Sequence, residues 1–503
     1  MRLAVGLFAL VSVAAASELA DAAKRGDRTA VKRLVSGGSD PGAAQVDGTT
    51  ALHWAVHRDD LEMAAALIAA GAKVAVANRY GMTPLALSCT NGSAAMVKRL
   101  LEAGADPNAA LPGGETALMT AARTGRVDTV KVLLAAGAKV DAADERQGQT
   151  ALIWAASEGH VAVVQALIAA GADFKKRLVS GFTPFLFAAR DGQIEIVRAL
   201  LGAGANVNDT VQRPETGARG GSQGRGYPRI GTSALLLAVT NGHFELAAHL
   251  LDAGADPNAA ETGLTSLHVI SIVRKPGGGD NDPAPFGSGK LTSLDMIRKL
   301  VSKGANINAR MTRKVNLGLT GLNTLGATPF LLACRSADAE MMRLLAELGA
   351  DPLIPNADKA TPLIVAAGLG TRSPGEDAGT EAEVMEAVEL AIQLGNDPNA
   401  VDNNGETAMH GAAYKNLPGV VELLYKKGAR ADVWNQKNRF GWTPLLIAQG
   451  YRFGNFKPSH VTMDAFRKVM TDAGLSVPDP PRQDVLSNQE YRFPPRRTPP
   501  PQN

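Results

Sequence analysis

Aromatic residues and cysteines are scarce in this sequence. Phe, Tyr and Trp make up 5% of the 503 residues, and there are two cysteines, Cys89 and Cys334. A few large globular cores would need more aromatic side chains than this, whereas many small contacts between closely packed helices would not. Two cysteines allow at most one disulfide within the chain, so a scaffold held together by several disulfides is excluded.

A strong charge of one sign and long apolar runs are absent as well. The formal net charge is +3, which over this length is too small to indicate a nucleic-acid partner. After the N-terminal region no run of about 18 apolar residues occurs, so the sequence predicts no transmembrane segment in the mature chain. A phosphate-binding loop and a Cys-x-x-Cys pair, two motifs that would point to an enzyme, are also missing from the sequence.

The first sixteen residues have the composition of a signal peptide. Arg2 precedes an apolar run over residues 3–13, and three alanines at 14–16 supply the small residues at which signal peptidase cleaves. The apolar run is too short to span a bilayer stably. We therefore predict a signal peptide at residues 1–16, a mature chain that begins at Ser17, and a periplasmic or secreted location. The alternative is that these residues form a buried first helix.

The sequence does contain a repeated segment with a period of about 33 residues. Its most constant feature is the tripeptide Thr-(Ala/Pro)-Leu with small variations, and Ser233-Ala234-Leu235 occupies the same position. The tripeptide begins at Thr50, Thr83, Thr116, Thr150, Thr183, Thr265, Thr328, Thr361, Thr407 and Thr443. Chance does not repeat such a pattern in register, so the chain is predicted to be an array of similar units.

The rules of helix formation explain each position of the repeat. The Thr hydroxyl can cap the free N–H groups at a helix start, and a proline at the next position, as at Pro84 and Pro184, loses no hydrogen bond there. Residues 127–134 then carry apolar side chains at helical spacing, and Gly137 ends that helix in a left-handed conformation. One such unit cannot bury its apolar face alone, so neighbouring units must stack.

The segment Gly-Thr-Thr-Ala-Leu-His-Trp-Ala, from Gly48 to Ala55, resembles the G-x-T-P-L-H-x-A signature of the ankyrin-repeat family. The resemblance covers most of residues 17–474. It implies an all-α solenoid of about twelve helix–turn–helix units with short β-hairpin fingers. It also implies a non-catalytic scaffold without a cofactor, which binds a protein or peptide partner along a concave groove.

Insertions interrupt the period, and a segment of different composition follows the array. The insertions lie near residues 209–230, 273–292, 310–326, 368–381 and 451–460. The first insertion is rich in Gly and Arg, which fits either a nucleic-acid contact or a solvated loop. The predicted signal peptide favours the loop. Residues 475–503 are Pro-rich and are predicted to form a disordered tail, with docking into an aromatic groove as the alternative.

The cysteines and histidines occupy fixed positions of the repeat, which favours structural roles. Cys89 and Cys334 each follow the repeat threonine by six residues, in units six steps apart. Units that stack at about 8–10 Å would hold these thiols too far apart for a disulfide. His53, His268 and His410 follow the threonine by three residues, where the ankyrin resemblance implies a structural hydrogen bond. We therefore predict neither a metal site nor a disulfide within the chain.

The ankyrin resemblance places partner-binding residues at two positions of each repeat, the finger before the threonine and the exposed end of the first helix. The finger positions hold Arg79, Tyr80, Met82, Phe182, Arg229, Phe440 and Trp442. The helix positions hold Arg58, Arg123, Arg190, Arg335 and Tyr414. Arginine and aromatic side chains carry much of the energy of interfaces, and a row of arginines would favour an acidic partner. The alternative is an ordinary solvated face.

Two other functions stay open at this point. An envelope-associated structural or chaperone-like accessory protein would dock to other components through the tail and the insertions. An enzyme subunit would hold its site in the insertions, although none of them looks long enough to form a catalytic domain.

Overall fold

The computed structural model describes residues 18–212, 230–275, 285, 287–315, 320–454 and 457–478. The predicted signal peptide at 1–16, Arg229, most of the 209–230 insertion and the tail after residue 478 lie outside these residues. The contacts between residues divide the chain into two compact units, Met1–Ile230 and Gly231–Asn503. We call them the N-terminal unit and the C-terminal unit.

Helix pairs, which we number as repeats 1 to 6, make up the described part of the N-terminal unit. The first helices of these pairs are residues 18–25, Ala51–His57, Pro84–Asn91, Ala117–Arg123, Ala151–Ser157 and Pro184–Arg190. The second helices are Arg28–Ser36, Leu61–Ala69, Ala94–Glu102, Val127–Ala135, Val161–Ala169 and Ile194–Gly202.

The described part of the C-terminal unit continues the same pattern as repeats 7 to 12. Its first helices are Ala234–Thr240, Ser266–Arg274, Pro329–Arg335, Pro362–Ala366, Ala408–Lys415 and Pro444–Ala448. Its second helices are Phe244–Asp252, Ser293–Ser302, Ala339–Glu347, Glu381–Gln393, Pro418–Lys426 and His460–Asp472, and a short helix, Ala431–Trp434, precedes repeat 12. The prediction of an all-α array of about twelve helix–turn–helix units is therefore confirmed.

The repeat threonine begins the first helices, as predicted. Thr83 precedes Pro84–Asn91, and its hydroxyl accepts a hydrogen bond from the Ala86 N–H at 3.2 Å. Thr328 accepts the equivalent bond from the Leu331 N–H, also at 3.2 Å. Because a cap of this kind contributes about 1 kcal/mol, the threonines help to determine where these first helices begin.

The fingers between repeats are tight turns rather than ladders of β-strands. In the first finger, the Gln45 N–H donates to the Thr49 carbonyl at 2.9 Å, and the Gly48 N–H donates to the Gln45 carbonyl at 2.8 Å. The described residues contain isolated bridges, such as that from Ala44 to Thr50, but no extended strand. The predicted hairpin connection is thus present in its shortest form.

One leucine position of the second helix forms the centre of the core. Leu67, Leu100, Leu133, Leu167 and Leu200 are completely buried. Second helices of successive repeats contact one another along the N-terminal unit, so these leucines belong to a continuous apolar layer. Truncation of a buried leucine to alanine typically costs about 2–5 kcal/mol, which makes this layer a main source of stability.

In repeats 1 and 12 the apolar side chains are covered. Repeat 1 has charged side chains on its outer side, and repeat 12 has a long second helix. In repeat 1, Leu19 is buried while Arg28 pairs with Asp60 at 2.6 Å on the outer side. In repeat 12, the helix His460–Asp472 packs on the second helix of repeat 11 and buries Phe466. Among the described residues, every helix is too short or too polar to cross a lipid bilayer.

Candidate protein-interaction surface

The residue before the repeat threonine and the residue seven positions after it lie side by side. In repeat 4, Arg123 Nη2 is 3.3 Å from Glu115 Oε1. In repeat 6, the Arg190 guanidinium lies 5.8 Å from the centre of the Phe182 ring. The two positions are separate in the sequence, whereas the fold joins them, because the last turn of the first helix lies beside the finger that precedes that helix.

Adjacent first helices of the N-terminal unit carry a patch of cations and aromatic rings. The Arg123 guanidinium lies 5.6 Å from the Trp154 ring centre, and that of Arg190 lies 4.7 Å from the Phe187 ring centre. The helix Ala151–Ser157 contacts both of the helices that end at these arginines. All four side chains are at least partly exposed, and we call them the cation–aromatic patch.

Trp154 and Phe187 are not among the partner-binding residues predicted from the sequence. Each follows its repeat threonine, Thr150 or Thr183, by four residues, so each lies one helical turn before the position of the arginines. Residues three apart on a helix share a face, and this spacing is the signal that would have found them.

Acidic side chains of the same unit pair with both arginines of the patch. Arg123 is paired with Glu115, and Arg190 donates to Asp191 from Nε at 2.7 Å and from Nη2 at 2.8 Å. Because these pairs are partly exposed, each contributes less than about 1 kcal/mol to stability. Their main effect is to hold each guanidinium group in place beside an aromatic ring.

The finger before repeat 3 presents the most exposed of the predicted aromatic residues. Tyr80 is 67% exposed, Arg79 Nη2 donates to its hydroxyl at 3.0 Å, and the Arg79 guanidinium lies 5.1 Å from its ring centre. Met82 in the same finger is half-buried. Arg58 is exposed and donates to the Lys24 carbonyl at 3.3 Å.

Several predicted partner-binding residues lie below the surface, which corrects their placement on an exposed face. Phe182, Tyr414 and Trp442 are 4%, 5% and 3% exposed, and the Arg335 side chain is 9% exposed. Arg229 lies outside the described residues. Side chains this deeply buried cannot contact a partner without local opening of the fold.

Insertions cover these side chains in the C-terminal unit. Asp377, in the 368–381 insertion, lies 3.3 Å from Arg335 Nη2. Phe453, in the 451–460 insertion, packs against Phe440 and Trp442 with ring centres 4.9 and 5.1 Å apart. The repeat period carries no information on where an insertion folds, so the sequence could not show that these positions are covered.

The histidines three positions after the threonine join helix to finger, as predicted. His53 Nδ1 accepts from the Thr50 N–H at 3.2 Å, and its Nε2 lies 3.0 Å from the Met82 carbonyl. His268 Nε2 makes the equivalent contact with the Ala327 carbonyl at 3.1 Å. Burial lowers the pKa of His268 to about 4, so its ring is neutral at pH 7. The described residues contain no group of His, Cys, Asp and Glu arranged to hold a metal ion.

The two cysteines are free thiols in the core. Cys89 and Cys334 are both completely buried. Burial raises the pKa of Cys89 to about 12 and also raises the pKa of Cys334 far above its ordinary value. Because the thiolate is the reactive form, both groups are protected from oxidation and alkylation while the fold is closed.

Comparison with protein families gives matches along most of the array. The model described as "Ankyrin repeats (3 copies)" matches residues 19–111, 110–178, 173–261 and 380–456, and the model described as "Ankyrin repeat" matches residues 325–354. Together these matches cover more than half of the chain.

Curated relatives share parts of the chain. Human ankyrin repeat and SOCS box protein 16 is 36% identical over 246 residues, which are 43% of this chain and 47% of that protein. Neurogenic locus notch homolog protein 1 of Danio rerio is 34% identical over 176 residues, which are 31% of this chain and 7% of that protein. The chain thus spans about half or less of the length of these relatives.

Solved structures give further matches. The human ASB11 ankyrin repeat domain aligns with 48% of this chain and 98% of its own, with 27% identity and a TM-score of 0.40. The ankyrin repeat domain of Bcl-3 aligns with 38% of this chain and 87% of its own, with 32% identity and a TM-score of 0.36.

Proposed function

Because the chain belongs to the ankyrin-repeat family, we propose that it is a non-catalytic scaffold that binds a segment of a partner protein at the cation–aromatic patch of its N-terminal unit. Ankyrin repeats are in general protein–protein interaction modules, and its relatives are ankyrin-repeat proteins. The predicted export signal falls outside the described residues, so a periplasmic or secreted location stays a prediction of the sequence.

The observation that carries the proposal is the stacking of Arg123 on Trp154 beside Arg190 on Phe187. Tryptophan and arginine are the residue types most enriched where interfaces concentrate their binding energy. Both arginines extend from helices and are already held by a ring and a carboxylate, so a partner would immobilise little additional side-chain freedom. Low ordering cost of this kind favours binding.

The chemistry of the patch favours a partner segment that contains carboxylates. A guanidinium group has five N–H donors, and Arg123 uses one of them on Glu115. Its remaining donors can bind an incoming carboxylate, and charge-assisted bonds to arginine are among the stronger hydrogen bonds. Glu115 competes for the same cation, so we expect micromolar rather than nanomolar affinity and a clear dependence on salt.

A peptide library displayed on phage tests this proposal with a defined probe. The full chain should enrich peptides that contain Asp or Glu beside an apolar residue. The double variant Arg123→Ala/Arg190→Ala should bind the enriched peptides at least about tenfold more weakly, as expected for the loss of charge-assisted hydrogen bonds. Glu115→Gln should bind them more tightly, because it removes the internal competitor of Arg123.

The matched control is the double variant Arg99→Ala/Arg198→Ala. It removes the same number of charges from exposed positions on second helices of the same unit, and it should keep the affinity of the parent. If the enriched peptides bind both double variants equally well, or if acidic peptides are not enriched, the cation–aromatic patch is not the binding surface.

A further inference from the structure

The C-terminal unit contains a cavity of about 250 Å³ at a place where three fingers and three insertions meet. The cavity is lined by acidic, basic and aromatic side chains, among them Lys314, Asp358, Arg372, Glu406, Phe440 and Phe453. These residues come from the 310–326, 368–381 and 451–460 insertions and from the fingers before repeats 10, 11 and 12. The cavity is therefore a product of the irregular part of the chain.

Close backbone contacts join the insertions that form its wall. The Gly321 N–H donates to the Gly370 carbonyl at 2.7 Å, beside the bridge between Thr320 and Thr371. Gly454 approaches the 368–381 insertion so closely that a Cβ atom there would lie 2.1 Å from the Arg372 carbonyl oxygen. The wall is thus closely packed, and it depends on glycine at this approach.

A buried carboxyl group forms the floor. Glu406 is 4% exposed, and its Oε1 accepts hydrogen bonds from the Tyr414 hydroxyl at 3.0 Å and from Asn438 Nδ2 at 2.9 Å. Its Oε2 is buried and has no hydrogen-bond partner among the described residues. A buried oxygen without a partner destabilises the fold, and more so when it is charged, so a donor that reached it from the cavity would be strongly favoured.

The charges around Glu406 favour a cationic donor. Burial and the neighbouring charge of Asp402 together raise the pKa of Glu406 to about 8, while Arg439 on the next finger acts in the opposite direction. The Asp402 carboxylate accepts from the Glu406 N–H at 2.8 Å. Asp358 also lines the cavity. An ammonium group would both supply the missing donor and offset two neighbouring acids.

The mouth of the cavity carries the opposite charge. Lys314 and Arg372 are exposed, line the cavity, and form no ion pair with any described residue. Arg439 is held by Asn404, with Nη1 2.6 Å from Oδ1. The rings of Phe440 and Phe453, 4.9 Å apart, provide an apolar part of the cavity wall.

We propose that this cavity binds a free amino acid, whose ammonium group donates to Glu406 Oε2 and whose carboxylate is bound by Arg372 and Lys314 at the mouth. The volume lies below the roughly 300–1,000 Å³ of pockets that take drug-sized ligands, which suits a molecule of this size. Phe440 and Phe453 favour an apolar side chain on the ligand. The site lies in the C-terminal unit, and its test is separate from that of the cation–aromatic patch.

Thermal shift and calorimetry with the twenty free L-amino acids test the proposal on the full chain. A subset with apolar side chains should raise the melting temperature and give a saturable binding isotherm. The N-acetyl derivative, which lacks the ammonium group, and the amide, which lacks the carboxylate, should each bind at least about tenfold more weakly, since each removes a charge-assisted bond. Absence of binding by all twenty amino acids, or equal binding by the N-acetyl derivative, overturns the proposal.

Two variants place the binding at the cavity. Glu406→Gln keeps the shape of the floor without its charge, and Arg372→Ala truncates an exposed side chain that forms no ion pair with a described residue. Each should raise the Kd at least about tenfold. The controls Glu389→Gln and Arg343→Ala make the same changes in exposed ion pairs of the same unit and should keep the Kd of the parent. Unchanged binding by folded Arg372→Ala and Glu406→Gln would place the ligand elsewhere.

The pH dependence separates an ammonium donor from the opposite arrangement, in which a protonated Glu406 donates to a ligand carboxylate. An ammonium group binds the ionised carboxylate, so affinity should rise about tenfold per pH unit from pH 6 towards 8, where the pKa of Glu406 lies. Binding by a protonated Glu406 would weaken over the same range, and that result would reverse the proposed orientation and overturn the proposal.

Discussion

At the scale of single residues, one position of the repeat takes two roles. Glu115 and Glu406 both precede the repeat threonine, and both contact the residue eight positions later, Arg123 or Tyr414. Glu115 is partly exposed and forms an ordinary surface ion pair. Glu406 is buried among fingers and insertions, and its pKa rises to about 8. The same local contact therefore serves an outer surface in one repeat and the floor of a cavity in another.

The buried histidines should make the protein sensitive to acid. Burial lowers the pKa of His268 and of His410 to about 4, below the value of about 6.5 in the unfolded chain. Below pH 6.5 these histidines are protonated in the unfolded chain but remain neutral in the folded chain. The free energy of unfolding that they contribute above pH 6.5 is therefore lost as pH falls towards 4. Each histidine should cost about 2 kcal/mol between pH 7 and pH 5.

Urea unfolding followed by circular dichroism at pH 7 and pH 5 measures this loss. His268→Gln should be less stable than the parent at pH 7 but should lose less stability on acidification. His249→Gln, on a second helix, is the control and should keep the pH dependence of the parent. Because the raised pKa of Glu406 acts in the opposite direction on acidification, the comparison with the parent is decisive: a His268→Gln variant that loses as much stability as the parent between pH 7 and pH 5 would contradict the role given to the buried histidines.

At the scale of elements, the helices could be predicted from the sequence because their signals are local. Thr83 is followed directly by Pro84, and a cap and a first-turn proline are enough to predict where a helix begins. The burial of Trp442 and Arg335 could not be predicted in this way. It depends on Phe453 and Asp377, which lie in insertions whose partners are remote in the chain and follow no period.

Gly454 should be essential for the packing of the insertions. Its φ is 88°, and a Cβ there would lie 2.1 Å from the Arg372 carbonyl oxygen. Gly375, with a φ of 90°, has nothing within 4 Å of the same position. Gly375→Ala should therefore cost only the strain of a left-handed alanine, about 1–2 kcal/mol, whereas Gly454→Ala should cost clearly more.

Urea unfolding at pH 7 compares the two glycine variants directly. The difference between them measures the contact between the 451–460 and 368–381 insertions, because the backbone strain is common to both. In addition, Gly454→Ala should weaken amino-acid binding in the cavity, and Gly375→Ala should not. Equal losses of stability in the two variants would show that the insertions do not pack as closely as this contact requires.

At the scale of the whole molecule, regular and irregular repeats lead to different kinds of surface. Repeats 4 to 6 of the N-terminal unit follow the period closely, and Arg123, Trp154 and Arg190 remain accessible on their first helices. In the C-terminal unit, residues of the insertions pack against Trp442 and Arg335, and the insertions help to enclose a cavity. Loss of regularity therefore covers positions that are exposed in the regular repeats and creates an interior cavity.

The two cysteines report on the stability of the two units separately. Cys89 lies in the N-terminal unit and Cys334 in the C-terminal unit, and both are completely buried thiols with strongly raised pKa values. Neither should react with a thiol reagent in the native protein, and two thiols per chain should react in urea. Because each repeat is stabilised mainly by its neighbours, each thiol should become reactive when its own unit opens.

Single-thiol variants make this prediction specific. Cys334→Ala leaves Cys89 as the reporter of the N-terminal unit, and Cys89→Ala leaves Cys334 as the reporter of the C-terminal unit. Addition of Gly454→Ala should move the labelling of Cys334 to lower urea concentration and leave the labelling of Cys89 unchanged, since the altered contact lies within the C-terminal unit. If both thiols shift together, the two units unfold as one cooperative body, and the insertions stabilise the array as a whole rather than their own half of it.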